Sequence, residues 1–422
     1  MTVASTPALK TTSIRSAEFR AMIGMVLFIM LGFGLIIPAL PLFVKKFSVG
    51  ASGVGILLSA FAVMRLIGDM IAGSLIDRFG ERAMAAIGAA IVGISSASAG
   101  AAPSYWWLVA LRGVGGIGSA FFLGAVTAYL IGSIDPVERG RAVGVFQGAV
   151  GIGITLGPAV GGVLQSISVR LPLYVYGIVA IATAPVCLVV LGRRKILATT
   201  LDEAAGTLQE CPPASRPPAL SLLRPLLKDS AYRAALVASA SDFWISSALF
   251  TLVSLVWVDR LGLSKGTSGV PLTALGLAAI AVIWHAGSVS DRRGRKFTLV
   301  PALGASAVTL VLLGFVQNTW QFMVLMIVLG VASAYSRPGS TSIVADVTTQ
   351  EQRAMGVSGY RTSADIGALA SPVIAGVIAQ TYGFRAAFLA IAGFVFIAFA
   401  FALRARETLP TRAVEPDSIR VG

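Results

Sequence analysis

Twelve stretches of about 20 mainly apolar residues follow one another along the chain, each ending at charged residues or at Gly and Pro turns. A helix of about 20 residues crosses a hydrocarbon core of roughly 30 Å, and inside a bilayer only helices and closed barrels satisfy every backbone polar group. Barrel strands would be shorter and would alternate apolar with polar residues. The sequence therefore predicts an all-α membrane protein with twelve transmembrane helices. The predicted spans, numbered in chain order, are 21–44, 51–75, 83–101, 106–132, 142–165, 171–191, 234–258, 268–289, 298–316, 319–345, 354–380 and 385–403.

Composition indicates the same class of protein. Hydrophobic residues make up 56% of the chain and charged residues only 12%, whereas soluble proteins carry about 25% charged residues. The net charge of +14 does not indicate a nucleic-acid partner, because the basic residues lie in short connections between apolar runs. Cys187 and Cys211 offer neither a disulfide framework nor the spacing of metal ligands, so we expect no cofactor and no metal.

The distribution of Lys and Arg predicts the orientation in the lipid bilayer. If both termini and the even-numbered connections share one side, that side holds 23 of the 33 basic residues and the other side holds 6. Short connections rich in basic residues stay in the cytoplasm. We therefore expect a multi-pass protein of the plasma (inner) membrane with both termini in the cytoplasm.

One ten-residue segment occurs twice. GSLIDRFGER at 73–82 returns as GSVSDRRGRK at 287–296, a shift of 214 residues in a chain of 422. A repeat of this size predicts two six-helix bundles related by a pseudo-two-fold axis. The longest polar segment separates the two halves and is typical of a linker. The predicted organisation is a cytoplasmic N-terminal tail at 1–20, an N-terminal bundle at 21–191, a cytoplasmic linker at 192–233, a C-terminal bundle at 234–403 and a cytoplasmic C-terminal tail at 404–422.

Two six-span halves with this repeated loop resemble the major facilitator superfamily, and the resemblance covers residues 21–404. The loop motif of that family reads G-x-x-x-D-R-x-G-R-R/K. It is matched by Gly73, Asp77, Arg78, Gly80 and Arg82 in the first copy, and by Gly287, Asp291, Arg292, Gly294, Arg295 and Lys296 in the second. The resemblance implies a conformational latch, in which the Asp caps a helix of the other half and the Arg residues pair with nearby acids.

The first copy departs from the family pattern. Glu81 stands where the family prefers Arg, and Ser133 stands at the end of span 4, where the family usually has an acid. The second half keeps that acid as Asp346. We therefore expect a weaker latch in the first half, or one rewired through Asp135 and Glu138.

Three further motifs are similar to those of the twelve-span drug:proton antiporter branch. Span 1 carries LGFGLIIPALP, similar to L-G-x5-P-x-L-P, and span 4 carries an R-x-x-x-G-x-G motif whose Arg112 occupies the place of an arginine tied to proton transfer. The G-x8-G-x3-GP-x2-GG motif is matched in span 5 by Gly144, Gly153, Gly157, Pro158, Gly161 and Gly162. Glycines at this spacing let a partner helix approach closely or slide; a generic packing face is the alternative.

Charged residues inside the spans are candidates for function, because a charge in the bilayer is costly unless it is paired or faces water. The residues predicted to act in proton coupling are Asp242, Asp69, Arg112, Asp365, Arg361 and Arg65. Arg65 with Asp69, and Arg361 with Asp365, lie four residues apart and share a helix face, so a locally neutralised ion pair is the alternative for each. Asp242 has no basic neighbour within a turn of sequence. We rank Asp242 and Asp69 ahead of Asp365 as proton carriers.

Aromatic residues on spans 7 and 11 predict an apolar substrate site, with Phe243, Trp244 and Tyr360 as candidates. The single histidine, His285, is interpreted as a packed or hydrogen-bonded residue.

These features predict a secondary transporter that exports hydrophobic drugs or other small molecules in exchange for protons by alternating access, working as a monomer. A proton-coupled transporter of a specific metabolite, such as a sugar or a siderophore, is the alternative. The sequence does not offer the nucleophile with a base, or the metal cluster, that an enzyme would need. A channel is also not expected, because the two latches make sense only for alternating access.

Overall fold

The computed structural model describes residues 13–135, 137–191 and 219–409, and the regular elements in these ranges are helices. Their numbers follow the predicted spans: α1 Ala17–Ile36, α2 Ala51–Phe79, α3 Glu81–Gly100, α4 Tyr105–Ser133, α5 Arg139–Ile167, α6 Leu171–Val190, α7 Ser230–Leu255, α8 Val270–Arg293, α9 Arg295–Gly314 and α10 Thr319–Val347. The run Arg353–Arg404 contains α11 before Gly383 and α12 after it. Short helices at Ala39–Val44, Lys45–Phe47, Ala219–Lys228, Val256–Arg260 and Lys265–Thr267 complete the described part.

The twelfth span depends on one glycine. Eleven helical stretches in the described ranges are long and apolar enough to cross a membrane, and the longest, Met355–Arg404, has 50 residues. As one straight helix it would be about 75 Å long, more than twice the roughly 30 Å core. Gly383 has a φ of 83°, a left-handed conformation that glycine adopts without strain, and it divides the run into two spans. The predicted twelve-helix fold is confirmed.

The repeat extends to the helix bounds. α3 and α4 begin and end 214 residues before α9 and α10, and α5 begins 214 residues before α11. The turn between the second and third helix of each half is also the same, since Gly80 and Gly294 both have positive φ, 83° and 117°. The two halves are therefore copies of one module.

The first span is shorter than predicted. α1 begins at Ala17 because the Ser16 side chain caps it, accepting a hydrogen bond from the backbone N–H of Phe19 at 3.0 Å. It ends at Ile36, because Pro38 has no N–H to continue the helix, and Ala39–Val44 follows as a separate short helix.

Parts of the predicted tails and linker lie outside the described residues, namely 1–12, 192–218 with Cys211, and 410–422, as does position 136 between α4 and α5. The last part of the predicted linker is helical, because Ala219–Lys228 and the first turn of α7 fall within it.

Each half has its own hydrophobic core, one built from α1 to α6 and the other from α7 to α12. The halves meet along two seams, α2 against α11 and α5 against α8. We call the side of the molecule that carries both ends of the described chain the terminal side, and the opposite side the far side. The space between the halves holds the candidate site.

Candidate functional site

Hydrogen bonds between the two bundles lie in the far half of each seam. On one seam the Ser59 hydroxyl donates to the backbone oxygen of Leu369 at 2.6 Å. On the other seam the backbone N–H of Ala159 donates to the Thr273 hydroxyl at 3.0 Å. Between described residues, no hydrogen bond joins the bundles nearer to the terminal side. The bundles are therefore closed against each other on the far side.

A glutamine clamps the far end of each seam. The Gln165 amide on α5 donates to the backbone oxygen of Lys265 at 2.7 Å and to the hydroxyl of Ser268. Gln380 on α11 accepts from the backbone N–H of Ser52 at 3.1 Å and from its hydroxyl. In both cases the end of a fifth helix holds the start of the opposite bundle's second helix. The clamps therefore follow the pseudo-two-fold symmetry of the repeat.

An ion pair between Lys45 and Asp259 lies at the symmetry axis. The two residues are 214 positions apart, so each is the repeat equivalent of the other. Equivalent positions related by a two-fold axis contact each other only next to that axis. The pair therefore joins the bundles at the centre of the far side.

Toward the terminal side the bundles separate. The α5 face that carries Gly162 continues at helical spacing to Gly151, Gly148 and Gly144. A Cβ on Gly162 would lie 2.7 Å from the backbone oxygen of Gly266 in the other bundle, whereas a Cβ on any of the other three would meet nothing within 4 Å. The same helix face is packed in its far half and free in its terminal half, so a cleft opens to the terminal side.

Four charged side chains lie where α2 and α11 separate. Arg65 Nε is 3.8 Å from Asp69 Oδ2, and both side chains are about half exposed. Asp365 is one helical turn beyond Leu369, the last residue bonded across the seam. It lies within electrostatic range of Arg65 and Asp69 in the other bundle, as well as of Arg361. The two pairs predicted separately from sequence are thus one group that spans both bundles.

The sequence around Asp242 suggested an isolated carboxylate, but in the structure other polar and charged side chains lie around it. Its side chain is buried and accepts a hydrogen bond from the Ser336 hydroxyl at 3.2 Å. Arg337 from α10 lies within electrostatic range. Tyr360 from α11 is also near, and its hydroxyl is 3.0 Å from that of Ser340. Three helices of one bundle therefore converge on this carboxylate.

Arg112 is buried on α4 without a carboxylate partner among the described residues. Its guanidinium carbon lies 4.6 Å from the centre of the Phe61 ring, and Tyr176 lies within electrostatic range. Asp69 lies about two helical turns beyond Phe61 on α2, and Asp242 lies in the other bundle. The structure does not bring Arg112 into contact with the proposed proton carriers.

The second loop motif forms a network inside its own bundle. Arg295 pairs with Asp291, and its Nε lies 3.2 Å from Asp346 Oδ2. Glu407, after α12, accepts from the backbone N–H groups of Arg295 and Lys296 at 2.9 and 3.0 Å. Asp291 thus binds the start of α9, whereas the resemblance placed it on a helix of the other half.

The first loop motif has other surroundings. Asp135 and Glu138, the acids expected to replace the missing partner, bind elsewhere. Glu138 accepts from the Ser13 hydroxyl at 3.3 Å and from the backbone N–H of Ile14 at 3.1 Å, and Asp135 accepts from the backbone N–H of Val137. The expected rewiring is wrong for this conformation, because these acids hold the N-terminal segment and their own turn.

The position assigned to Ser133 also needs correction. Since α4 and α10 are related by a shift of 214, the equivalent of Asp346 is Gly132. Ser133 donates instead to the backbone oxygen of Tyr129 at 2.5 Å. Neither residue supplies an acid, so the difference between the two halves stands.

The glycine motif of α5 serves two interfaces. Gly153 and Gly157 face α1 within the same bundle, where a Cβ on Gly157 would lie 2.5 Å from the Cα of Gly34. Gly162 faces the other bundle near Gly269. The motif therefore permits close approach both inside the bundle and across the far end of the seam.

The aromatic candidates have different positions. Trp244 is buried and stacks on Phe394 of α12 with ring centres 4.6 Å apart, so its assignment to the substrate site is wrong. Its bulk fills the bundle core instead. Phe243 is 46% exposed and remains a candidate. His285 Nδ1 lies 2.5 Å from the Tyr335 hydroxyl, which is the hydrogen-bonded role expected of it.

The family model of the Major Facilitator Superfamily matches residues 22–284 and 235–420. The chain belongs to this family. It is therefore a multi-pass membrane transporter of small molecules and not an enzyme. Quinolone resistance protein NorA of Staphylococcus aureus (strain COL) is 25% identical to it over 353 residues, which are 83% of this chain and 87% of NorA. Multidrug resistance protein 2 of Bacillus subtilis (strain 168) is 34% identical over 154 residues, 36% of this chain and 38% of that protein.

Solved structures share the fold at low sequence identity. A bacterial homolog of the human lysosomal transporter Spinster, in an inward-facing and unoccupied conformation, has a TM-score of 0.77 and 15% identity, and the match covers 94% of this chain and 97% of that one. The nucleoside transporter NupG has a TM-score of 0.73 and 14% identity, with 92% and 99% covered.

Sequence reasoning missed the residues that join the bundles and one partner of Asp242. Arg337 carried a usable signal, because it is a charge inside a span. Lys45 and Asp259 carried another, because they are opposite charges at equivalent positions of the repeat. Gln165 and Gln380 carried none, since polar residues at span ends are common.

Proposed function

We propose that this transporter exports hydrophobic drugs or other small molecules in exchange for protons, by alternating access in the plasma (inner) membrane. The observation that carries the proposal is the difference between the two halves of each seam, bonded on the far side and open on the terminal side. Rocking of the bundles about the central contacts would close the cleft and open the far side. The excess of basic residues supports a cytoplasmic location for the terminal side, and we expect a monomer.

The names of the two bacterial relatives support drugs as the cargo. Both are resistance proteins, and NorA aligns along most of its length. Phe243 and Tyr360 are the proposed substrate contacts. Tyr360 lies within electrostatic range of Asp242, and Phe243 is an exposed aromatic side chain on the helix that carries Asp242.

Asp69 and Asp242 are the proposed proton carriers. Asp69 belongs to the charged group that spans α2 and α11, so a proton on its carboxylate would free Arg65 to act on Asp365 alone. Asp242 is buried, and a proton on it would remove its attraction for Arg337. At Asp69 a proton changes the balance of charge along a surface that the bundles must close, and at Asp242 it changes the balance of charge inside one bundle.

Drug-driven proton movement in proteoliposomes tests this proposal. An internal pH dye should report proton release when drug is added to the wild-type protein, and Asp69→Asn or Asp242→Asn should reduce it at least tenfold. Glu351→Gln, which removes an exposed acid in the loop before α11, is the matched control and should behave as wild type. Full proton movement in both Asp variants would refute the carrier assignment. A wild-type protein that moves protons with a sugar or siderophore but with no drug would refute the drug cargo.

A further inference from the structure

Arg112 and Tyr176 lie within electrostatic range of each other inside the N-terminal bundle, and no carboxylate among the described residues pairs with them. Each side chain is only 2% exposed, and neither makes a hydrogen bond to another described residue. Arg112 Nε is buried without a partner. Arginine has five N–H donors and no acceptor, and the tyrosine hydroxyl can donate one hydrogen bond and accept another. The two side chains together therefore hold more donors than acceptors, and the ligand that fits them best is one that supplies acceptors.

The surroundings hold these two side chains in place. The Tyr176 ring rests on Gly32, where a Cβ would lie 2.9 Å from the ring carbon Cε2. The Arg112 guanidinium lies over Phe61, whose ring packs against Phe33 with centres 5.6 Å apart. The donors are thus fixed in an apolar wall, where electrostatic attraction for a ligand is strong.

An unpaired buried cation costs several kcal/mol in a membrane bundle. The other three arginines inside the spans have a carboxylate nearby: Arg65 has Asp69, Arg337 has Asp242, and Arg361 has Asp365. Arg112 has none among the described residues. A bound anion would remove this cost and would satisfy both donors with short, charge-assisted hydrogen bonds.

We infer that Arg112 and Tyr176 form a binding site for a monovalent anion, either a halide or the carboxylate group of a substrate. Arg112 is seven residues from the far-side start of α4, a depth of about 10 Å. The site therefore lies between the cleft and the far side, away from the charged group of α2 and α11. The proposal goes beyond drug export and holds whether or not transport is coupled to protons.

Thermal unfolding of the purified protein in detergent tests the site. Sodium chloride, bromide and acetate are titrated separately, with sodium sulfate keeping the ionic strength constant. We expect a saturable rise in Tm for the wild type and its loss in Arg112→Gln. Tyr176→Phe should need about tenfold more anion for half of the effect, because one hydrogen bond to a charged group is lost. Arg170→Gln, at an exposed arginine of the same bundle, should respond as wild type.

Competition then identifies which anion fills the site. If chloride weakens binding of a carboxylated dye but not of its methyl ester, a substrate carboxylate uses the site; if it weakens neither, the site holds an inorganic anion. The inference is overturned if wild type, Arg112→Gln and Tyr176→Phe respond to each anion alike. That result would mean that Arg112 only packs against Phe61. Should Arg112→Gln fail to fold, Tyr176→Phe decides between these results.

Discussion

At the scale of single residues, Glu407 shows how one carboxylate holds the second copy of the repeated loop in place. It accepts backbone N–H hydrogen bonds from Arg295 and Lys296, the first residues of α9, and from Thr408 and Leu409. Partial burial opposes its ionisation, but these hydrogen bonds outweigh burial, so the pKa of Glu407 lies below its ordinary value. A negative charge at a helix N-terminus is also favoured by the helix dipole.

The lowered pKa predicts how stability depends on pH. The contribution of Glu407 is fully present above the pKa of an unfolded Glu, about 4.3, and is lost as the pH falls through the lower pKa of the folded state. We expect Glu407→Gln to lower stability at pH 7 by about 1 kcal/mol, as the loss of a helix cap does. The difference from wild type should shrink below about pH 4. Thermal unfolding in detergent at several pH values measures it, with Glu351→Gln as control; a difference independent of pH would contradict the prediction.

Local charge pairing was the part of the site that the sequence could predict. The pairing of Arg295 with Asp346 was expected from the loop motif, and the structure contains it. The surroundings of Asp242 were not predictable, because its partner Arg337 is 95 residues away and depends on how α7 packs against α10. Trp244 was assigned wrongly for the same reason, since sequence does not tell which neighbour an aromatic side chain meets.

At the scale of elements, the apolar runs and turn glycines predicted the helices, and the repeat predicted their order. The sequence did not show which glycines of α5 pack inside the bundle and which face the other bundle. Gly153 and Gly157 face α1, whereas Gly144 and Gly148 face the open cleft. Helical spacing defines such faces, but only packing shows which face meets a neighbour and which remains free.

The free glycine face predicts a variant that blocks closure. Under the proposed alternating access, Gly148 packs against α8 when the cleft closes, so Gly148→Leu should fill the seam. Overpacking typically costs 1–3 kcal/mol, and we expect transport in proteoliposomes to fall about tenfold or more while drug binding to the open cleft persists. Leucine is a better helix former than glycine, so the helix itself should not suffer. Gly393→Leu on α12, where a Cβ also meets nothing within 4 Å, is the matched control. Wild-type transport by Gly148→Leu would exclude this seam.

At the scale of the whole molecule, a small number of weak bonds closes the far side. Hydrogen bonds contribute about 1 kcal/mol each, and a partly exposed ion pair such as Lys45–Asp259 contributes about 1 kcal/mol or less. Reversing a two-state population from 1:99 to 99:1 takes about 5.5 kcal/mol of ligand binding. The bonds across the far side are thus of the size that substrate or proton binding can overcome.

The ion pair on the symmetry axis gives the sharpest test of this closure. Lys45→Glu places two acids together and should shift the protein toward the form that is open on the far side. A cysteine at Thr273, a buried seam residue, with Cys187 and Cys211 replaced, should then react about fivefold faster with a membrane-impermeant maleimide, the change expected for about 1 kcal/mol. The double variant Lys45→Glu, Asp259→Lys restores the attraction and should restore slow labelling. Lys46→Glu makes the same charge change at the neighbouring exposed lysine, so equal labelling of Lys45→Glu and Lys46→Glu would show that the axial pair does not hold the bundles together.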